Sequence, residues 1–334
     1  MYPTLVAETY VHVGFLTVCI VCNVCRPSGT CAELPLYSGP AYVWQSGSVR
    51  LPDRIPAVWL VITGIISVQV GAAIAKDLFD LVPPTAMVWL RLGTSAVILL
   101  LMARPRLTGH SGRDWLIVLG FGVSLLIMNW AIYQSFARIP LGIAVTIEFL
   151  GPLTVAVIGS RRFLDVIWVA LAGAGVALLG VSRASLTVAG VGFALLAALA
   201  WAFYILLSAQ TGRRWPGISG LAIASMVGAV ALAPPAIVAA GSKLLDPTVL
   251  ILGLAIGLLS SVIPYSFELI ALRRIPPRVF SILMSLEPAA AAVAAMILLR
   301  EFLSLVQWLA MACVMIASIG ATRTSTTLDQ PAPD

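Results

Sequence analysis

The stretch ILMSLEPAAAAVAAMILL, Ile282 to Leu299, is long enough to cross a bilayer and apolar almost throughout, yet Glu287 and Pro288 lie inside it. A lone carboxylate in hydrocarbon costs roughly 3 kcal/mol or more, and an interior proline removes a helix hydrogen bond. Both become tolerable where a helix is broken beside a water-accessible cavity inside a bundle. At 1.5 Å per residue, Glu287 lies about 12 Å along its span, close to the bilayer midplane.

The rest of the chain fits a membrane. Hydrophobic residues make up 60 % of 334 and charged residues 10 %, against roughly a quarter charged in soluble domains. Too few polar residues remain to clothe a soluble core, so the repeated apolar runs read as an all-α polytopic membrane protein. Ten transmembrane helices are expected, at about 56–75, 84–103, 115–136, 141–160, 166–182, 187–208, 217–240, 248–270, 279–299 and 304–322. The connections are short, so neighbours should run antiparallel.

The net charge of +6 is not a nucleic-acid footprint, because most Arg and Lys lie in the gaps between apolar runs. With the segment before the first span in the cytoplasm, that side holds Arg50, Arg54, Arg104, Arg106, Arg113, Arg161, Arg162, Arg213, Arg214, Arg273, Arg274, Arg278 and Arg323. The other side holds Lys76, Arg138, Arg183, Lys243 and Arg300. This excess predicts cytoplasmic N- and C-termini in a multi-pass protein. Trp59, Trp115, Trp168, Trp215 and Trp308 fall near span ends, as an aromatic belt requires.

Residues 1–55 stand apart as an N-terminal extension of unknown role. Their apolar run is short, and no Arg or Lys precedes it as in a secretory signal. Cys19, Cys22, Cys25 and Cys31 crowd there, but no basic cluster supports a metal centre, and none is expected.

The two halves resemble each other. ARIPLGIAVTIEFLGPLTVAV, from Ala137, aligns without a gap on RRIPPRVFSILMSLEPAAAAV, from Arg273, placing Pro140 on Pro276 and Pro152 on Pro288. The repeats are expected at 56–182 and 187–322, followed by a cytoplasmic tail at 323–334. Five spans in each make the repeats inverted, since an odd number of crossings reverses the second unit. Two such halves can exchange conformations around a central site, which points to transport.

Two stretches carry a family resemblance: IEFLGPLTVAVIGSRRFLDVIWV (147–169) and SVIPYSFELIALRRIPPRVFSILMSLEPAAAAVAAMILLREFLSLVQWLA (261–310). They resemble the EamA-type transporters of the drug/metabolite transporter superfamily, and within them the threonine/homoserine exporters. The resemblance extends over about Pro56 to Arg323. It implies ten helices in the inner (plasma) membrane, export of a small amino acid from the cytoplasm and dependence on the proton gradient, with no other cofactor.

Charged residues within spans are functional candidates by default. They are Arg91, Glu148, Glu268 and Glu287. Arg91 and Glu148 each lie about 10 Å from the outer face by helix rise, so an ion pair between them is feasible; whether it would be structural or a gate stays open. Pro152, Pro264 and Pro288 mark helix breaks that free backbone carbonyls. Glu287 could bind a substrate ammonium or exchange a proton. For Glu268, pairing with Arg273 or Arg274 at the surface is the alternative. Asn129, Tyr133, Gln134 and Tyr265 are further candidates for substrate hydrogen bonds. Ser67, Gly71 and Ala75, like Gly253 and Gly257, form small-residue faces for close helix approach.

An intramembrane enzyme is the rival class. His12 and His110 lie outside the spans, Asp77, Asp80, Asp165 and Asp246 fall in expected loops, and no Gly-rich phosphate loop occurs. Within transport, the alternatives are an exporter of another small metabolite or an amphipathic drug, or a passive channel. The expected partners are a small amino acid and the lipid bilayer, with a homodimer as an option and no nucleic acid.

Overall fold

The computed structural model describes residues 56–158, 163–181, 186–272 and 274–325. Residues 1–55, with their four cysteines, lie outside this set, as do Arg161, Arg162, Arg183 and Arg273. No strand occurs among the described residues. The helices are α1 (Ala57–Asp77), α2 (Pro84–Ala103), α3 (Gly112–Phe136), α4 (Leu141–Glu148), α5 (Leu150–Ile158), α6 (Phe163–Val181) and α7 (Val188–Gly212). There follow α8 (Ser219–Ala240), a 3₁₀ turn (Gly241–Leu245), α9 (Pro247–Gly257) and a π turn (Leu258–Val262). The last are α10 (Ile263–Leu272), α11 (Pro277–Met284), α12 (Glu287–Leu298) and α13 (Leu305–Ser325).

Eight helical stretches among the described residues are long and apolar enough to cross a membrane, and Leu164–Leu179 and Pro247–Val262 are shorter apolar helices. Large side chains such as Leu101, Leu116, Val230, Val238 and Ile297 are exposed. In water such a surface would be an aggregation hazard; in a bilayer it faces hydrocarbon.

Helix starts follow from local chemistry. Pro56, Pro83, Pro140 and Pro276 occupy the N-cap positions of α1, α2, α4 and α11, where a missing N–H and a φ preset near −60° carry little cost. Polar caps serve elsewhere. Ser111 accepts from the Asp114 N–H while the Asp114 carboxylate accepts from the Ser111 N–H, a capping box that starts α3 earlier than the expected residue 115. At its far end α7 outruns the expected residue 208, since no breaker intervenes before Pro216.

The expected breaks occur. The span 141–158 is interrupted at Phe149, and the span 277–298 at Ser285–Leu286. Pro152 and Pro288 have no N–H to offer the carbonyls of Glu148 and Met284, one turn back. The two breaks share their backbone geometry. Pro140 and Pro276 have φ/ψ of −56/139° and −58/141°, and the C-cap residues Phe149 and Ser285 have −62/−12° and −64/−9°.

Helix contacts come in exchanged pairs. α3 packs on α7 as α10 packs on α1, α5 on α7 as α12 on α1, and α8 on α3 as α9 on α2. Between these pairs, α2 meets α8, α4 meets α12 and α6 meets α13. The small-residue faces are packing surfaces. A Cβ on Gly71 would strike Ser260, while Gly253 and Gly257 lie against Leu90 and Thr94.

Gly151 shows how close the helices come. A Cβ there would drive into the Ala198 carbonyl on α7, with the carbonyl carbon 3.0 Å away. Backbone cannot yield as a side-chain tip can, so Gly151→Ala is expected to destabilise the fold by about 1–3 kcal/mol. A lower unfolding temperature of the purified protein in detergent checks this; an unchanged one would show that α5 and α7 can separate freely.

Loop contacts join loops separated by an even number of helical segments, counting each broken span once. Lys76 meets Ile139 and Glu301, Lys243 donates to the Leu81 carbonyl, Thr187 reaches the Arg138 carbonyl, and Arg214 pairs with Asp114 at 2.9 Å. One tryptophan departs from the expected belt. Trp215 is buried, stacked on His110 at 3.7 Å and edge-on to Trp115 at 5.1 Å. Trp168 is half-buried against Gly320. Trp59, by contrast, is exposed. Asp165, expected in a loop, lies buried in the first turn of α6.

Candidate functional site

The breaks and the π turn surround one cavity of about 80 Å³, room for roughly five waters or more at the ~10–15 Å³ that each requires. Its polar wall draws on Gln69 on α1, Arg91 on α2, Asn129 on α3, Glu148 on α4, Ser260 in the π turn, Glu268 on α10 and Glu287 at the start of α12. Trp201, Tyr204, Phe149 and Met128 supply apolar wall.

Arg91 is positioned by backbone that proline has released. Pro264 cannot donate to the carbonyls of Leu259 and Ser260 behind it. Arg91 Nη2 donates to the Ser260 carbonyl at 2.9 Å, and Ser67 Oγ to the Leu259 carbonyl at 2.7 Å. Both orphaned acceptors are thereby satisfied. Arg91 also donates to Ser261 Oγ at 3.3 Å and to the Tyr133 hydroxyl at 3.5 Å, and lies 5.7 Å from the centre of the Tyr133 ring.

Glu287 Oε1 accepts from Gln69 Nε2 at 3.0 Å. The second oxygen of Glu287, Oε2 of Glu268, Oε1 of Gln69 and Oγ of Ser260 are buried without a hydrogen-bond partner among the described residues. Such groups are costly to leave unmet. All four residues line the cavity.

The sequence candidates separate into groups. Arg91, Asn129, Glu148, Pro264, Glu268 and Glu287 come together around the cavity. Glu268 is buried rather than paired at the surface. Tyr133 lies behind Arg91 and reaches the site through it. Gln134 does not join them: it bridges Thr85 Oγ1 at 3.0 Å and Arg138 Nη1 at 2.9 Å near the end of α3. Pro152 and Pro288 are buried within their helices. The side chain of Tyr265 lies outside the described set. Among the described residues no His, Cys, Asp and Glu cluster is arranged to hold a metal.

Gln69, Ser260 and Ser261 are site residues that charge-based reading passes over. The signal for Gln69 is a lone amide in an otherwise apolar stretch, ISVQVGAA. Away from the cavity, Lys76 on α1 pairs with Glu301, whose other oxygen accepts from the Leu141 N–H at 2.9 Å. Lys76 also donates to the Ile139 carbonyl at 2.8 Å. One end of α1, the start of α4 and the segment after α12 are thus fastened together.

Comparisons with known proteins agree with this architecture. The EamA-like transporter family matches residues 188–323. The chain is 42 % identical over 284 residues to the Threonine/homoserine exporter RhtA of Escherichia coli (strain K12), covering 83 % of this chain and 95 % of the relative. The Threonine/homoserine exporter RhtA of Salmonella typhimurium (strain LT2) is 42 % identical over 282 residues, with the same coverage. A protein solved by crystallography matches with a TM-score of 0.52 and 21 % identity, over 83 % of this chain and 99 % of its own, a likeness of fold alone. A multi-helix membrane chain, a polar cavity at helix breaks and identity along most of its length lead to one conclusion: the chain belongs to the EamA-like transporter family.

Proposed function

We propose that the protein is a secondary transporter of the inner (plasma) membrane that exports small amino acids of the threonine and homoserine type. The carrying observation is the buried cavity at the helix breaks, where Glu148, Glu268 and Glu287 share space with Arg91. A zwitterion needs both signs of charge, and this wall supplies both. The names of the relatives supply the substrate class.

Alternating access fits two inverted five-helix repeats, at 56–182 and 187–322. The exchanged helix contacts, the matched break geometry and the even spacing of touching loops support that arrangement. With the Arg-rich loops inside, both termini face the cytoplasm. The charge count favours proton coupling. Three carboxylates and one guanidinium leave two acids in surplus (3 − 1), and buried acids in excess of cations must hold protons or meet a cationic substrate.

Proteoliposomes test the reading. Vesicles carrying the protein should move labelled threonine or homoserine faster than protein-free vesicles, and faster again under an imposed pH gradient. Equal rates with and without protein would retire the substrate assignment, and indifference to the gradient would retire the coupling.

A further inference from the structure

Three buried oxygens on three helices line the cavity with no donor among the described residues: Gln69 Oε1 on α1, Glu268 Oε2 on α10 and Glu287 Oε2 on α12. Their residues are only 2 %, 3 % and 5 % exposed. Gln69 directs an amide N–H at Glu287 Oε1, and its carbonyl oxygen is the atom left without a partner among the described residues. Every unmet atom in this set can accept a hydrogen bond, and its two carboxyl groups carry negative charge once they have given up their protons. From these acceptors we infer that Gln69, Glu268 and Glu287 form a seat for a primary ammonium group, with Gln69 as its specificity-determining residue. The inference rests on the transport reading above and adds to it which end of a substrate goes where.

The chemistry selects the ligand. An ammonium group brings three N–H donors in divergent directions and a positive charge, so it can meet acceptors arriving from three helices at once. A hydroxyl in its place brings one donor and no charge, so it leaves two of the acceptors unmet in a buried site, the situation in which polar sites discriminate most strongly. Arg91, held on the Ser260 carbonyl in the same cavity, leaves the carboxylate of a zwitterion on the guanidinium side. Gln69 contributes without adding charge. It accepts from the ammonium while holding the Glu287 carboxylate in place through its N–H, so it couples orientation of the acid to recognition of the ligand.

The test compares matched solutes on the full-length protein in detergent, read as ligand-induced thermal stabilisation. The pairs are threonine and homoserine with their analogues bearing a hydroxyl in place of the ammonium, and ethanolamine with ethylene glycol. The ammonium member of at least one pair should bind about a hundredfold more tightly than its hydroxyl counterpart. If ethanolamine alone shows this preference, the seat stands and the amino-acid assignment falls. If hydroxyl members bind equally, if no member binds, or if sodium chloride stabilises as well as any ammonium compound, the seat is overturned. Gln69→Leu should weaken the ammonium member by roughly tenfold and reduce the discrimination within the pair. Gln69→Lys guards against misfolding of that variant: it places an ammonium of its own in the seat, so the unliganded protein should melt higher and no longer respond to ammonium compounds. A Gln69→Lys protein that folds and still responds as wild type would overturn the assignment.

Discussion

Glu287→Gln is expected to abolish gradient-coupled transport while the protein remains folded in the membrane. The substitution keeps the side chain's size, and the new amide oxygen can still accept from Gln69 Nε2, the contact that Glu287 Oε1 makes at 3.0 Å. What changes is the other position. An acceptor facing the cavity becomes an N–H₂ donor, and the surplus of acids over Arg91 falls by one. A substrate ammonium then meets a donor instead of an acceptor, and a proton has no carboxylate to occupy. Because a buried carboxylate with an unpaired oxygen is costly, the variant should melt no lower than wild type and can melt higher. Transport in proteoliposomes under a pH gradient, measured beside the unfolding temperature, separates the two effects. Full activity with an unchanged pH profile would remove Glu287 from the transport site. Loss of activity together with loss of folded protein would make its role structural.

The sequence shows the elements of this site more clearly than their partners. The break at Ser285–Leu286 is legible because Glu287 and Pro288, a carboxylate and a proline inside an apolar run, each carry a cost that only a cavity relieves. Its counterpart at Pro152 follows from the repeat. Helix edges are set by caps, so the Ser111–Asp114 box moves the start of α3 in a way that hydropathy does not register. Which face of a helix turns inward is a tertiary matter. Tyr133 stands one turn from Asn129 and about 40° round the helix, whereas Gln134 stands about 140° round it at 100° per residue. All three look alike as polar residues in a run, yet Asn129 lines the cavity and Gln134 ties down the helix end. Gln69 is harder still, since its role depends on α12 packing on α1. The π turn before Pro264 has no hydropathy signature, though it fixes where Arg91 finds its acceptor.

Lys76→Met is expected to bias the transporter towards opening at the end of the bundle where Lys76 meets Glu301. That pair joins α1, which carries Gln69, to the segment following α12, which carries Glu287, and the Glu301 carboxylate also holds the start of α4 through the Leu141 N–H. The three tied elements carry Gln69, Glu287 and Glu148 of the cavity wall, so separating them at this end would uncover the cavity from that side. The side chains are 16 % and 21 % exposed, between the buried and surface regimes, which places the loss at about 1–3 kcal/mol. By population-shift arithmetic, 1.4 kcal/mol changes the ratio of closed to open forms about tenfold. A single cysteine at Val68, which lines the cavity, reports the change in a background whose own cysteines are replaced. In right-side-out vesicles a membrane-impermeant thiol reagent should label it roughly tenfold faster with Lys76→Met than without. Glu301→Gln, which keeps an acceptor for Leu141 but removes the charge, should fall between the two. Labelling rates that ignore both substitutions would show that this ion pair holds loops together without governing access, and the closure would then have to come from the helix packing itself.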